Sequence, residues 1–79
     1  MNYTEADLPR QLHDGEILTL QDGTEVRFER NGEAKDIYLG DAYVPTVQLF
    51  PDTEYTFTAG DAQYRVRALF EDALDVERI

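Results

Sequence analysis

Short runs of alternating apolar and polar residues, each closed by glycine, asparagine or aspartate, make up most of this 79-residue chain. A period of two over runs this short predicts half-buried antiparallel strands rather than helices. The first pair of runs, Glu16 to Leu20 and Thr24 to Arg30, is joined by Gln21-Asp22-Gly23. A two-residue loop at Asp22-Gly23 would set Thr19 against Val26 and Ile17 against Phe28, leaving Leu18 and Leu20 on the opposite face. A three-residue loop with Gly23 left-handed instead puts Leu18, Leu20, Val26 and Phe28 on one face. That second register is the expected one, because it gathers four large apolar groups where the first gathers three.

Asn31-Gly32 is the strongest short hairpin signal, and counting back from it pairs Arg30 with Glu33, Arg27 with Asp36 and Val26 with Ile37. Gly60-Asp61 sets Phe57 opposite Tyr64, Tyr55 opposite Val66 and Glu54 opposite Arg67, again with one apolar face and one charge-matched face. Between these hairpins, Tyr43 to Phe50 contains Pro45, which cannot donate to a ladder and so marks an edge or the start of a strand. Pro51-Asp52 then turns the chain. Near the start, Thr4 with Asp7 three positions on predicts a capped helical turn around Leu8 to Leu12, with Pro9 in its first turn. At the end, Leu69, Ala73 and Val76 have helical spacing, whereas Leu74 and Val76 between Asp75 and Glu77 alternate; a short strand is expected there.

Residues 1–79 therefore read as one acidic all-β domain, a small antiparallel barrel or sandwich of five to six short strands with at most one helical turn near the N-terminus. Its expected interior is Leu18, Leu20, Val26, Phe28, Ile37, Leu39, Val47, Leu49, Tyr55, Phe57, Tyr64 and Val66. A domain of this length buries only about 60% of the surface its unfolded chain exposes. With no cysteine and a single histidine, neither disulfides nor a zinc site are expected to add to that.

Seventeen acidic side chains face seven basic ones, a formal net charge of -10. Such a surplus repels nucleic-acid phosphates and anionic lipid and steers cationic partners toward the chain at low salt. Met1 to Arg10 lacks a positive stretch followed by an apolar run, and no window approaches the roughly 18 apolar residues of a membrane span. The expectation is a soluble cytoplasmic protein, in the host cell if virus-encoded, with no direct nucleic-acid or membrane partner. Lysine occurs once, at Lys35, and a lysine-poor acidic surface also fits salt adaptation or a GC-rich coding genome.

Candidate chemistry is sparse. His13 precedes Asp14-Gly15, a turn-like triplet, and the chain holds neither serine nor cysteine for it to activate, which removes most acyl-transfer mechanisms. Paired carboxylates for glycoside hydrolysis would need a cleft for which so small a domain has little room. No window matches a calcium loop, and Asp36 with Asp41, or Glu71 with Asp72 and Asp75, read as solvated acids rather than ion ligands. No catalytic, cofactor or metal site is expected.

Sixteen of the seventeen acids divide by role. Asp14, Asp22, Asp52 and Asp61 adjoin glycine or proline at turns, where aspartate satisfies backbone donors. Glu33, Asp36 and Glu54 have arginines opposite in the registers above. Glu5, Asp7, Glu16, Glu25, Glu29 and the terminal run Glu71, Asp72, Asp75 and Glu77 remain, the run being offset only by Arg78. The expected function is a non-enzymatic acidic module that occludes a basic, nucleic-acid-binding type of protein surface by imitating phosphates. Glu71, Asp72, Asp75 and Glu77 are its first candidate contacts, and Tyr38 and Tyr43, both expected to face outward, are supporting anchors. The alternatives are a small structural subunit of a larger assembly, such as a virion or tail component, and a housekeeping domain of a salt-adapted organism.

Overall fold

Glycine conformation and apolar pairing together set how the strands meet in the computed structural model, which describes residues 2–70 and 72–79. In chain order the elements are β1 (Asn2–Thr4), a 3-10 turn (Glu5–Asp7), β2 (Arg10–His13), β3 (Ile17–Thr19), β4 (Glu25–Asn31), β5 (Ala34–Leu39), β6 (Val47–Leu49), β7 (Glu54–Ala59), β8 (Ala62–Ala68) and β9 (Ala73–Arg78). They form two sheets, ordered β1-β3-β4-β5-β6 and β2-β9-β8-β7. The architecture is a sandwich and not a closed barrel. Its nine strands, among the described residues, exceed the five to six expected: β1 is only three residues long and leaves a weak pattern, and β2 falls in the segment expected to be a helical turn.

The β3–β4 loop has the three-residue form. Leu18 lies opposite Val26, Leu20 N–H donates to Thr24 C=O at 2.8 Å, and Gly23 has φ 94°. The Gly60-Asp61 register also matches expectation at all three pairs, with Glu54 opposite Arg67, Tyr55 opposite Val66 and Phe57 opposite Tyr64. At Pro51-Asp52 the chain makes a tight turn, with Thr53 N–H donating to Phe50 C=O at 3.1 Å and Asp52 at φ 69°. That is the positive φ a type II turn demands at its third residue after proline. β6 begins after Pro45 and stands at the edge of its sheet, and the C-terminal segment is the strand β9.

The β4–β5 hairpin corrects one expectation. Its turn is centred on Gly32-Glu33 rather than Asn31-Gly32, so Arg30 faces Lys35, Glu29 faces Asp36 and Arg27 faces Tyr38. Asn31 has no positive φ, whereas Gly32 has φ 64°, as a turn of type II′ with glycine first requires. Packing favours this choice. It sets Val26 against Leu39 and Phe28 against Ile37, while the expected register would have set Phe28 against Lys35. A slip of two residues leaves each side chain on the same face, so the core is unaffected.

The N-terminal turn is a second correction. Thr4 N–H donates to Asp7 Oδ2 at 2.9 Å, but the helical turn covers Glu5–Asp7 and ends there, and residues 10 to 13 are strand β2. Leu8 is already extended at φ -75°, ψ 148°, the conformation favoured ahead of a proline. This turn carries the chain from the first sheet to the second, and the Asp14-Gly15 turn brings it back. β1 and β3 consequently pair in parallel, an exception to the antiparallel pattern.

The interior between the sheets contains Leu12, Leu18, Leu20, Val26, Phe28, Ile37, Leu49, Tyr64, Val66, Leu74 and Val76, with Ala59, Ala62 and Ala68 filling narrower gaps. Leu39, Val47, Tyr55 and Phe57 pack against it but are only half-buried. Leu12, Leu74 and Val76 were not anticipated, since they lie in the two segments whose pattern was misread or ambiguous.

Candidate functional site

The outer face of the second sheet carries two members of the acidic terminal run, Asp75 and Glu77. Along β9, Leu74 and Val76 point inward, so Asp75 and Glu77 point outward with Arg65 and Arg67 of β8 and Glu54 of β7. These charges interleave. Arg65 is hydrogen-bonded to Glu77 and lies 4.0 Å from Glu54, and Arg67 is hydrogen-bonded to Asp52 and faces Asp75 across the ladder. Hydrogen bonding to Glu77 and to Asp52 raises the two guanidinium pKa values further. An open depression of about 620 Å³ over this grid is lined by Gln11, Glu54, Arg65, Arg67, Asp75 and Glu77. Four carboxylates, Asp52, Glu54, Asp75 and Glu77, thus meet two arginines, and each arginine is engaged by a carboxylate.

Among the described residues, the candidate contacts do not form one site. Glu71 lies outside the described residues. Asp72 is at the β4–β5 turn end of the sandwich, 3.5 Å from Arg30 Nη1. Asp75 and Glu77 lie among the arginines described above. Tyr43 is 99% exposed in the β5–β6 loop beside Val44, itself 71% exposed. Tyr38 does sit on the outer face of the first sheet, but it is buried, contrary to the expected exposed anchor. The Arg27 guanidinium covers its ring at 4.4 Å, and Arg27 Nη2 is tied to Ala42 C=O at 3.0 Å.

That outer face of the first sheet has the higher ratio of acids to arginines, and its acids are less paired. Val26 and Phe28 point inward, so Glu25, Arg27 and Glu29 point outward on β4, joined by Asp36 and Tyr38 on β5. Three carboxylates thus face solvent with one arginine. Glu29 and Asp36 are direct cross-strand partners, a like-charge pairing that weakens a sheet. Asp36 accepts from Asn31 Nδ2 at 3.2 Å and Gln48 Nε2 at 3.0 Å, both neutral, and Glu29 lies 3.5 Å from the Tyr38 hydroxyl. Burial and then the Glu29 and Asp36 charges push the Tyr38 phenol above its ordinary range, with Arg27 opposing. The hydroxyl therefore remains a neutral donor.

Two further groups escaped the sequence reading. Lys35 falls on the inner face, 2% exposed, and its Nζ donates to Leu69 C=O at 2.7 Å; desolvation and then Arg30 lower its pKa. Glu5 joins the 3-10 turn to β8, the β3–β4 loop and β9 through Tyr64, Gln21 and Arg78. The Glu29–Asp36 pair would have followed from centring the turn on Gly32-Glu33. Lys35 and Glu5 gave no signal, because each depends on contacts distant in sequence. Exposed His13 uses its backbone N–H on Glu16 Oε1 at 2.8 Å. No three His, Cys, Asp or Glu among the described residues are grouped to hold a metal ion. No described helix is long and apolar enough to cross a membrane. No family model matches the chain, and no curated protein or solved structure matches it.

Proposed function

We propose that this chain is a non-enzymatic acidic module that docks on a basic protein surface and occludes it, with the outer face of the first sheet as its contact. The observation that carries this reading is the outward-facing pair Glu29 and Asp36, with Glu25 beside them and Arg27 alone to offset three carboxylates. A sheet that keeps like charges opposite each other gains from a cation placed over them. Grooves that take nucleic acid carry the lysines and arginines such a rigid carboxylate face can compete for. The terminal acids Asp75 and Glu77 are supporting charges in this reading, since Arg65 and Arg67 already offset them.

A fluorescent octa-arginine peptide serves as the basic probe. Its affinity is expected to fall about tenfold or more between about 50 mM and about 200 mM salt. The variant Glu25→Gln/Glu29→Gln/Asp36→Asn is expected to weaken it by about tenfold, at a few tenths of a kcal/mol to about 1 kcal/mol per exposed charge. Asp75→Asn/Glu77→Gln should weaken it far less. Salt-insensitive binding, or equal losses in both variants, rejects the reading. The protruding Tyr43 and Val44 and the 72% exposed Phe70 favour a second reading, a subunit of a larger assembly. If that assembly is homomeric, sedimentation should show self-association; a monomer at all concentrations contradicts it.

A further inference from the structure

We infer that the free edge of β7 takes up an extended segment of the basic partner as an added strand of the second sheet. This rests on the proposed basic partner and adds where and how part of that partner is held. The two sheets end in β1 and β6, three residues each, and in β2 and β7, of four and six residues. Only β7 offers a long edge. Ala68 N–H donates to Thr53 C=O at 3.0 Å, which sets the phase of the β7–β8 ladder. Tyr55, Phe57 and Ala59 consequently turn their N–H and C=O groups toward β8, and Glu54, Thr56 and Thr58 turn theirs outward. Among the described residues, none hydrogen-bonds those outward groups.

Glu54 is the one charged side chain on this edge. Glu54–Ala59 contains no proline and no lysine, and its pairing with β8 runs unbroken through all six residues without a bulge. Tyr55 and Phe57, stacked at 6.3 Å on each other and at 5.6 Å from Phe57 to Tyr64, remain half-buried on the inner side. An added strand with apolar residues at alternate positions would cover them. Its other residues would lie on the outer face opposite Glu54, Thr56 and Thr58, flanked by Asp52 and Asp61. Charge selects the occupant. A second copy would bring another chain of net charge -10 against these acids, whereas a segment alternating basic and apolar residues matches both faces. β7 also lies next to β6, whose Gln48 holds Asp36, so one partner can reach the edge and the acidic face together.

The test uses an eight-residue peptide alternating arginine and valine, added to the full chain while backbone amide exchange is followed by NMR. Exchange at Glu54, Thr56 and Thr58 is expected to slow by about tenfold or more at saturation. In an antiparallel added strand the backbone N–H groups of the peptide's arginines face Glu54, Thr56 and Thr58, so methylating those backbone nitrogens should abolish this protection and weaken binding by about tenfold. Methylating its valine nitrogens should do neither. Salt-sensitive binding without protection at these amides, or equal effects of the two methylations, overturns the edge site while leaving the basic-partner reading standing. Equal protection by a serine–valine peptide overturns the requirement for a basic occupant. Protection that appears with rising protein concentration alone assigns the edge to a second copy and overturns the inference.

Discussion

Replacing Glu5 with alanine is expected to destabilise the fold by about 2–4 kcal/mol, read as a lower urea midpoint at neutral pH. The Glu5 carboxylate accepts from the Tyr64 hydroxyl at 2.7 Å, the Gln21 N–H at 2.8 Å and Arg78 Nη1 at 3.2 Å. Tyr64 is fully buried, so without Glu5 its hydroxyl is left with no acceptor in the interior. Burial and then Glu5 push that phenol up to about 12, so it donates throughout the accessible pH range. For Glu5 itself, desolvation acts to raise the pKa, but the hydrogen bonds from Tyr64 and Gln21 and the Arg78 charge outweigh it and hold the carboxyl below its ordinary range. A depressed carboxyl contributes stability above its unfolded-state value of about 4.3 and loses that contribution as pH falls through the lower folded-state value. Glu16 is also depressed, chiefly by the His13 N–H, and Asp22 by the Thr24 N–H. The wild-type chain should therefore lose stability steadily below about pH 4, and Glu5→Gln should reduce that slope while costing less than alanine at pH 7. An unchanged acid slope in Glu5→Gln would contradict this role.

Leu74→Ala is expected to cost about 2–5 kcal/mol. Leu74 is fully buried on β9, between Leu12 of β2 and Ala68 of β8, so the deletion opens a gap that strands on both sides of it line. For a domain this size the total stability is about 4–12 kcal/mol, so one methyl cluster is a large share of it. Thermal unfolding should shift down by about 10 °C or more, at about 4–8 °C per kcal/mol. Phe70→Ala removes a larger side chain that is 72% exposed and should leave the midpoint within about 3 °C. Similar shifts for the two variants would refute the assignment of the interior.

Three of the turns, and the strands they join, were legible because they are local. Gly23, Gly60 and Pro51-Asp52 each demand a backbone conformation that few alternatives satisfy, and the alternation around them fixed the faces of Leu18, Val26, Tyr64 and Val66. Charge pairing was a poorer guide than packing. Opposite charges at Arg27–Asp36 and Arg30–Glu33 supported a register that the apolar pairs Val26–Leu39 and Phe28–Ile37 overrule, since exposed ion pairs contribute little. The acidic face was hidden by that same slip, which assigned Asp36 to an arginine when it faces Glu29. Tyr38 was assigned to the correct side, yet its burial depends on Arg27 and on the chain near Ala42, contacts that alternation alone does not encode. Asp75 and Glu77 looked unbalanced in sequence because Arg67 and Arg65 meet them only across the β8–β9 ladder.

The distribution of charge between the two faces is most directly tested by mapping amide shifts on titration with octa-arginine at low salt. The largest changes are expected at Glu25, Arg27, Glu29, Asp36 and Tyr38, and they should vanish as salt is raised. Shifts centred on Asp75 and Glu77, or a footprint that persists unchanged in high salt, would contradict the account.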